Sequence, residues 1–301
     1  LENCPGDFSD HWMHFMKPLS GYTKPYAVLG HPIGHTLSPV MHNASIQSLG
    51  LDAIYMALDV APENLMHVLP AMQQMGFGGV NLTIPLKEVA YRGLKQLDES
   101  ASLLGAVNTV QFKDGVMIGH NTDGYGFLKA MEEAFGESIS GASVFVLGCG
   151  GAGRAVALMA AGAGAAKIAL ADIDQQKLNS VREELRRTYR DVQINMASDP
   201  SDQIAACLSA DVVVQATPVG MKQTDQPLIG SDAFRKGQRA FDLIYMYPET
   251  VFMKQARIGG ARTANGLGML LHQGARAFSI WTGNQPDIEA MRNALKAAVY
   301  K

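Results

Sequence analysis

"SVFVLGCGGAGRA", residues 143–155, runs from an apolar strand through a glycine turn into the start of a helix. Gly148, Gly150 and Gly153 fit the spacing G-x-G-x-x-G, with Gly151 and Ala152 completing the turn. The first glycine allows a tight turn, the second lets backbone approach a pyrophosphate, and the third allows close helix–strand packing. Free amides at the helix N-terminus then hold phosphate. A glycine-rich turn alone would be weak evidence. Here it follows a strand, opens a helix and precedes a second strand, "KIALADID" (167–174), so Gly148, Gly150, Gly151, Ala152 and Gly153 are expected to bind a dinucleotide.

Asp172 lies 19 residues after Gly153, at the end of that second strand. A carboxylate there accepts hydrogen bonds from the adenosine ribose hydroxyls and repels a 2′-phosphate. No arginine stands beside it; Ile173 and Asp174 follow. The expectation is NAD, with NADP the less favoured alternative. Asp172 could instead cap the helix "QQKLNSVREELRRTY", but Asp174 is better placed for that. Arg154 can reach either a phosphate or a carboxylate partner.

Downstream, the strands "KIALAD", "VQIN", "DVVVQAT" and "RAFDLIY" alternate with helical patterns, the rhythm of a doubly wound parallel sheet. From "NGLGMLLHQGARAFSIWTG" onward the pattern is helical only, as expected of a tail that packs back on an earlier domain. Upstream, "YAVLG" reads as a strand and "SPVMHNASIQSLG" as a helix, with Ser38 as N-cap, Pro39 at the first position and Gly50 past its end. "AIYMALDV" reads as a strand and "PENLMHVLPAMQQMG" as a helix that Pro70 kinks or interrupts. The fold class is α/β with two domains: an α/β substrate domain over 22–123 and 266–301, and a doubly wound dinucleotide domain over 124–265. Residues 1–21 form an N-terminal arm.

The 301 residues suffice for two cores, and 47% hydrophobic residues with mean hydropathy near zero suit a globular protein. A net charge of −3 gives no support for a nucleic-acid or membrane partner. Cys4, Cys149 and Cys207 are odd in number and widely spaced, which fits a reducing cytoplasm. The first 24 residues lack the pattern of a secretory signal. No metal site is expected: His11 and His14 could be ligands, but a terminal arm explains them better. His31, His35, His42 and His120 share no ligand spacing.

Two polar groups stand out against apolar surroundings. In "GGVNLTIPLKEVAYRGL" (78–94) a short strand, Gly79 to Ile84, is stopped by Pro85, and Lys87 follows in the first turn of a helix. There the helix dipole opposes an ammonium, which suits a lysine that exchanges a proton with a hydroxyl. Asp123, in the polar loop "GHNTDG", stands where the two domains join and could hold that lysine. Alone, each is equally explained by solvation or by a turn.

"GHPIGHTLSPVMHN", "NLTIPLKE", "LGAVNTV", "GHNTDG", "GCGGAGRA", "QATPVGM", "FDLIYMYPET" and "GLGMLLHQGARAF" occur in this order from about Tyr26 to the C-terminus. Together they resemble the shikimate dehydrogenase family, including its quinate/shikimate branch. The resemblance implies a substrate domain facing a Rossmann domain across a cleft, and reversible oxidation of the C3 hydroxyl of a cyclic polyol carboxylate, shikimate or quinate. It implies Lys87 as general base with Asp123 as partner. Thr83, Asn108 and Gln273 would bind ring hydroxyls, Thr36 and Ser38 the carboxylate, and Tyr245 would lie nearby. Thr217 and Gly220 would wall the nicotinamide, and Gly266 would lie at the same cofactor site.

Two departures from the pattern matter. Ala171-Asp172-Ile173-Asp174 stands where biosynthetic NADP-using members carry an Asn-Arg-Thr-like segment, which points to the NAD-using branch. Thr36 replaces the commoner serine, adding a methyl near C1. The rival readings are an NADP-dependent biosynthetic enzyme, a dehydrogenase of a related ring acid, and a silent dinucleotide- or metabolite-sensing module. A monomer or homodimer is expected.

Overall fold

The computed structural model describes residues 18–300, so Cys4, His11 and His14 lie outside the described residues. Among the described residues are twelve strands and eleven α-helices, arranged as two six-stranded sheets.

The first sheet contains β1 (Lys24–Gly30), β2 (Ala53–Asp59), β3 (Gly79–Leu82), β4 (Gln96–Leu97), β5 (Thr109–Lys113) and β6 (Val116–His120), in the order β2-β1-β3-β5-β6-β4. β1 runs parallel to β2 and β3, while β5 is antiparallel to both β3 and β6. The β5–β6 hairpin turns through Asp114 and Gly115, both at positive φ, the Asp-Gly signal for a tight hairpin. Helices α2 (Leu65–Gln74), α3 (Leu86–Gly93) and α4 (Glu99–Leu104) contribute to one core around β1, β3 and β5. Pro70 sits inside α2 without ending it; the first turn, Pro62–Asn64, is a 3-10 helix instead. On the other face lie α1 (Ser38–Ser48) and the C-terminal pair α10 (Leu267–Thr282) and α11 (Ile288–Val299). The tail is stitched back through Trp281 Nε1 to Val110 O (3.0 Å), Gln111 Nε2 to Ile280 O (2.7 Å) and Asp287 N to Ser45 Oγ (2.9 Å).

The second sheet is wholly parallel. Its strands β7 (Ser143–Leu147), β8 (Lys167–Ala171), β9 (Gln193–Met196), β10 (Val212–Gln215), β11 (Arg239–Asp242) and β12 (Arg262–Asn265) take the order β12-β11-β10-β7-β8-β9. β7 and β10 are apolar almost throughout because both faces are covered. One face carries α5 (Asp123–Phe135), α6 (Gly151–Gly162) and α7 (Gln175–Thr188); the other carries α8 (Pro200–Ser209) and α9 (Val251–Ile258). Strand order reverses between β7 and β10, so the loops leaving these strands flank a crevice.

Three sequence expectations shift. The strand expected over Gly79–Ile84 ends at Leu82. Asp123 is the first residue of α5 and not a loop residue. Ser38 does not cap α1: it is the first helical residue, and its amide donates to Thr36 Oγ1 at 3.3 Å, so Thr36 satisfies the helix start from outside.

The two cores are joined where α5 packs along α10. At Gly126 a Cβ would lie 2.8 Å from Gln273 N and from Met269 O, both backbone atoms that cannot yield cheaply. Gly126→Ala is therefore expected to cost about 1–3 kcal/mol through overpacking, read as a lower urea midpoint with an unchanged denaturant slope.

Candidate functional site

Lys87 is held at the second position of α3, and Pro85 precedes that helix. Its Nζ lies 2.6 Å from Asp123 Oδ2, with the two side chains 28% and 18% exposed, accessible yet shielded. Asp123 opens α5, where the helix dipole favours a carboxylate, and its amide donates to Asn121 Oδ1 at 3.0 Å. Asn121 is pinned by Nδ2 to Ala106 O at 2.9 Å.

The other carboxylate oxygen of Asp123 accepts from Asn108 Nδ2 at 2.9 Å. Asn108 also donates to Thr122 Oγ1 (2.9 Å) and Gln273 Oε1 (3.4 Å), and its Oδ1 accepts from Thr122 N (2.8 Å). Lys87, Asp123, Asn108 and Gln273, chosen from four separate stretches of sequence, thus meet in one cluster. Thr83 lies at the end of β3 beside Gly30, where a Cβ would stand 2.5 Å from its methyl. Thr36 and Ser38 form a pair, Thr36 Oγ1 donating to Ser38 Oγ at 3.3 Å. Tyr245, in the turn after β11, packs against the apolar cluster that contains Met41, Leu267 and Leu271.

That turn is anchored by Asp242, which is fully buried. Its Oδ1 accepts from Ile244 N at 3.0 Å and its Oδ2 from Thr250 Oγ1 at 2.5 Å. Burial pushes its pKa up to about 6, against these two bonds.

The residues around the glycine loop fit a dinucleotide. Gly148 has φ +96°, and a Cβ on Gly153 would lie 1.8 Å from Gly148 O, so helix and loop touch through backbone. At Gly150 and Gly151 a Cβ would meet nothing within 4 Å, leaving open space at the start of α6. Asp172 Oδ2 accepts from Cys149 N at 2.5 Å and Oδ1 from Asp174 N at 2.8 Å, while Asp174 caps α7 as expected. The Cys149 thiol is buried beside Asp172 and pushed up to about 12, so it is not a nucleophile. Arg154 is committed elsewhere: it forms a two-point ion pair with Glu184 and donates to Leu104 O, bridging to α4. The loop after β10 is wound around Gln215, whose Nε2 donates to Thr217 O (3.1 Å) and Val219 O (2.8 Å). Gly220 there has φ +107°. At Gly266 a Cβ would lie 2.1 Å from Leu243 O.

Sequence reading passed over Tyr55, Thr109 and Thr122, and noted Asn81 beside Lys87 without giving it a role. These residues are buried, and Tyr55 OH donates to Asn81 Oδ1 at 2.7 Å directly behind the cluster. A polar residue inside an otherwise apolar strand was the available signal. Of the histidines, His31 pairs with Asp59 (2.6 Å) and His120 with Asp98 (2.9 Å). Among the described residues no three His, Cys, Asp or Glu side chains gather as a metal site, and no helix is long and apolar enough to cross a membrane.

Known proteins resemble this chain over most of its length. Residues 28–110 match the shikimate dehydrogenase substrate binding domain, and residues 266–296 the shikimate 5′-dehydrogenase C-terminal domain. The shikimate dehydrogenase (NADP(+)) of Methanothermobacter thermautotrophicus is 40% identical over 285 residues, covering 92% of this chain and 98% of the relative. The structure of Listeria monocytogenes shikimate 5-dehydrogenase in complex with shikimate and NAD superposes with a TM-score of 0.87 at 32% identity, covering 93% of this chain and 99% of that one. Quinate dehydrogenase from Corynebacterium glutamicum in complex with NAD gives 0.84 at 30% identity, covering 91% and 99%.

Asp242 makes stability depend on pH. Between about pH 4 and 6 the folded protein keeps a proton that the unfolded chain has released, so its contribution is full below about 4 and is lost as pH rises through about 6. Urea unfolding at pH 4 and pH 7 should show wild type losing about 2 kcal/mol more than Asp242→Asn over that interval.

Proposed function

The chain belongs to the shikimate dehydrogenase family, and we propose that it catalyses the reversible, NAD-dependent oxidation of the C3 hydroxyl of shikimate, quinate or both to the 3-dehydro ketone. The observation that carries this reading is the Lys87–Asp123 pair, 2.6 Å apart and partly shielded, at the junction of the two domains.

Lys87 takes the hydroxyl proton on its side-chain amine and returns it in the reverse reaction. The resulting ammonium stays paired with Asp123, which orients it. Asn108 and Gln273 present amides that both donate and accept, which suits ring hydroxyls, and Thr83 adds a hydroxyl at the mouth of β3. Thr36 and Ser38 grip the substrate carboxylate at the start of α1, where hydroxyls, amides and the helix dipole all favour an anion. Tyr245 closes that end from the second domain. The loop from Gly148 to Gly153, with Asp172, Thr217, Gly220 and Gly266, holds the dinucleotide, which when bound supplies the hydride acceptor.

What supports NAD is the segment after β8. The Asp172 carboxylate faces the glycine loop, a second carboxylate follows at Asp174, and Ile173 between them is fully exposed and uncharged. A 2′-phosphate would meet negative charge and no arginine of that segment. Residues 22–123 and 266–301 are assigned to the substrate domain and 124–265 to the dinucleotide domain.

Lys87→Ala should bind NADH near wild type, followed by fluorescence titration, while turnover falls about 100-fold or more. Unchanged turnover would rule out the proton-transfer role.

Initial rates with shikimate and with quinate, each with NAD and NADP at matched concentrations, should favour NAD. Asp172→Asn combined with Ile173→Arg should raise the ratio of kcat/KM for NADP over NAD about tenfold or more, equivalent to about 1.4 kcal/mol. A wild-type preference for NADP on shikimate alone would instead mark a biosynthetic NADP enzyme.

A further inference from the structure

Behind the proposed site runs a chain of buried hydrogen bonds with one sense throughout. Tyr55 OH donates to Asn81 Oδ1 (2.7 Å), and Asn81 Nδ2 donates to Thr109 Oγ1 (3.0 Å). Thr109 Oγ1 donates to Asn108 Oδ1 (2.9 Å), and Asn108 Nδ2 donates to Asp123 Oδ1 (2.9 Å). Tyr55, Asn81, Asn108 and Thr109 are each no more than 5% exposed. Each link therefore relies on its protein neighbour and not on bulk water.

Tyr55 is the best fixed member. Its backbone is clamped on both sides by the Asn43 side chain, Nδ2 to Tyr55 O at 2.8 Å and Tyr55 N to Oδ1 at 2.9 Å. Its ring stacks on His42, centroids 4.1 Å apart and 12° from parallel. Burial holds His42 at about 3 and raises Tyr55 well above the ordinary phenol value, so the wall is a neutral imidazole and the phenol keeps the proton it donates.

Resting on the function proposed above, we infer that Tyr55 is a positioning residue for the proton-transfer pair. It makes no direct contact with Lys87 or Asp123 and acts by fixing Asn81, and through Thr109 and Asn108 the carboxylate of Asp123. Without the phenol hydroxyl, Asn81 Oδ1 becomes a buried acceptor with no donor. Such an atom is costly enough to rotate the side chain. Thr109 then loses the donor from Asn81, its hydroxyl is released from Asn108, and Asp123 is no longer aimed by a single set of contacts.

The test is a double-mutant cycle on the single-turnover rate of NADH formation with saturating shikimate and NAD. Tyr55→Phe should slow that rate about tenfold, with equilibrium binding of shikimate and NADH within about twofold of wild type. In an Asp123→Asn background the same substitution should change the rate less than about twofold, because residues acting through one another are not additive. Thr109→Val, which cuts the chain one link later, should reproduce this pattern, and Thr109→Ser should restore it. A wild-type rate for Tyr55→Phe and Thr109→Val, or the same tenfold loss in both backgrounds, would overturn the inference. If wild type turns over shikimate and Lys87→Ala does not, that outcome leaves the proposed function standing. A wild type inert on both shikimate and quinate would fail the function first.

Discussion

The carboxamide of Asn108 holds together groups that three other elements contribute. Its backbone is fixed on both sides, with Leu82 N donating to its carbonyl (2.8 Å) and its own amide donating to His120 O (3.1 Å). Its side chain then meets Thr122 and Asp123 at the start of α5, Gln273 on α10, and Thr109 at the start of β5. Two N–H donors are shared among three acceptors, and the oxygen accepts from the Thr122 amide and the Thr109 hydroxyl. A buried amide is tolerated only when it is satisfied in this way. Once satisfied, it admits few other arrangements of its neighbours, so α5 and α10 are located together relative to the first sheet.

The Lys87–Asp123 pair gains little stability from its charges alone, since partly exposed ion pairs are typically worth a fraction of a kcal/mol. Its value is geometric. Asp123 stands at the positive end of α5, which favours its charge, while Lys87 stands at the positive end of α3, which opposes its own. Bringing them within 2.6 Å places the unfavourable cation beside the favoured anion, and Asn108 and the Asn121 turn keep the anion from following solvent. Precision comes from packing: α5 approaches α10 at Gly126 to a distance that no side chain would allow.

Much of the architecture was legible because it is local. The glycine loop, its preceding strand and the β8 segment lie within about 30 residues, and each shows its own period or turn chemistry. Asp174 as a cap followed from the same short-range logic. The β5–β6 hairpin was equally local, with Asp114-Gly115 as its signal, yet its strands are short and only partly buried and were not picked out. Ser38 was misplaced by one position because Thr36, two residues earlier, accepts the Ser38 amide, so Ser38 already stands inside the helix. Tyr55 and Asn81 showed locally only as polar groups within apolar strands, and their role was hidden for a different reason. Both lie in strands that read as apolar, and their importance arises only when β2 and β3 are set on either side of β1, which lets residues 26 apart in sequence meet across it.

Cofactor choice and loop geometry are tied together at Asp172. Both of its oxygens accept backbone amides, one from the glycine loop at Cys149 and one from Asp174 ahead of α7. The carboxylate therefore shapes the dinucleotide loop before any ribose reaches it. An asparagine offers only one acceptor atom, so one of those two amides would face another N–H donor. On the NAD reading proposed above, a change of charge here shifts selectivity and also withdraws one acceptor from the glycine turn. On that reading the aspartate is a single solution to two constraints, an acceptor pair for two backbone amides and a negative charge where the ribose would lie.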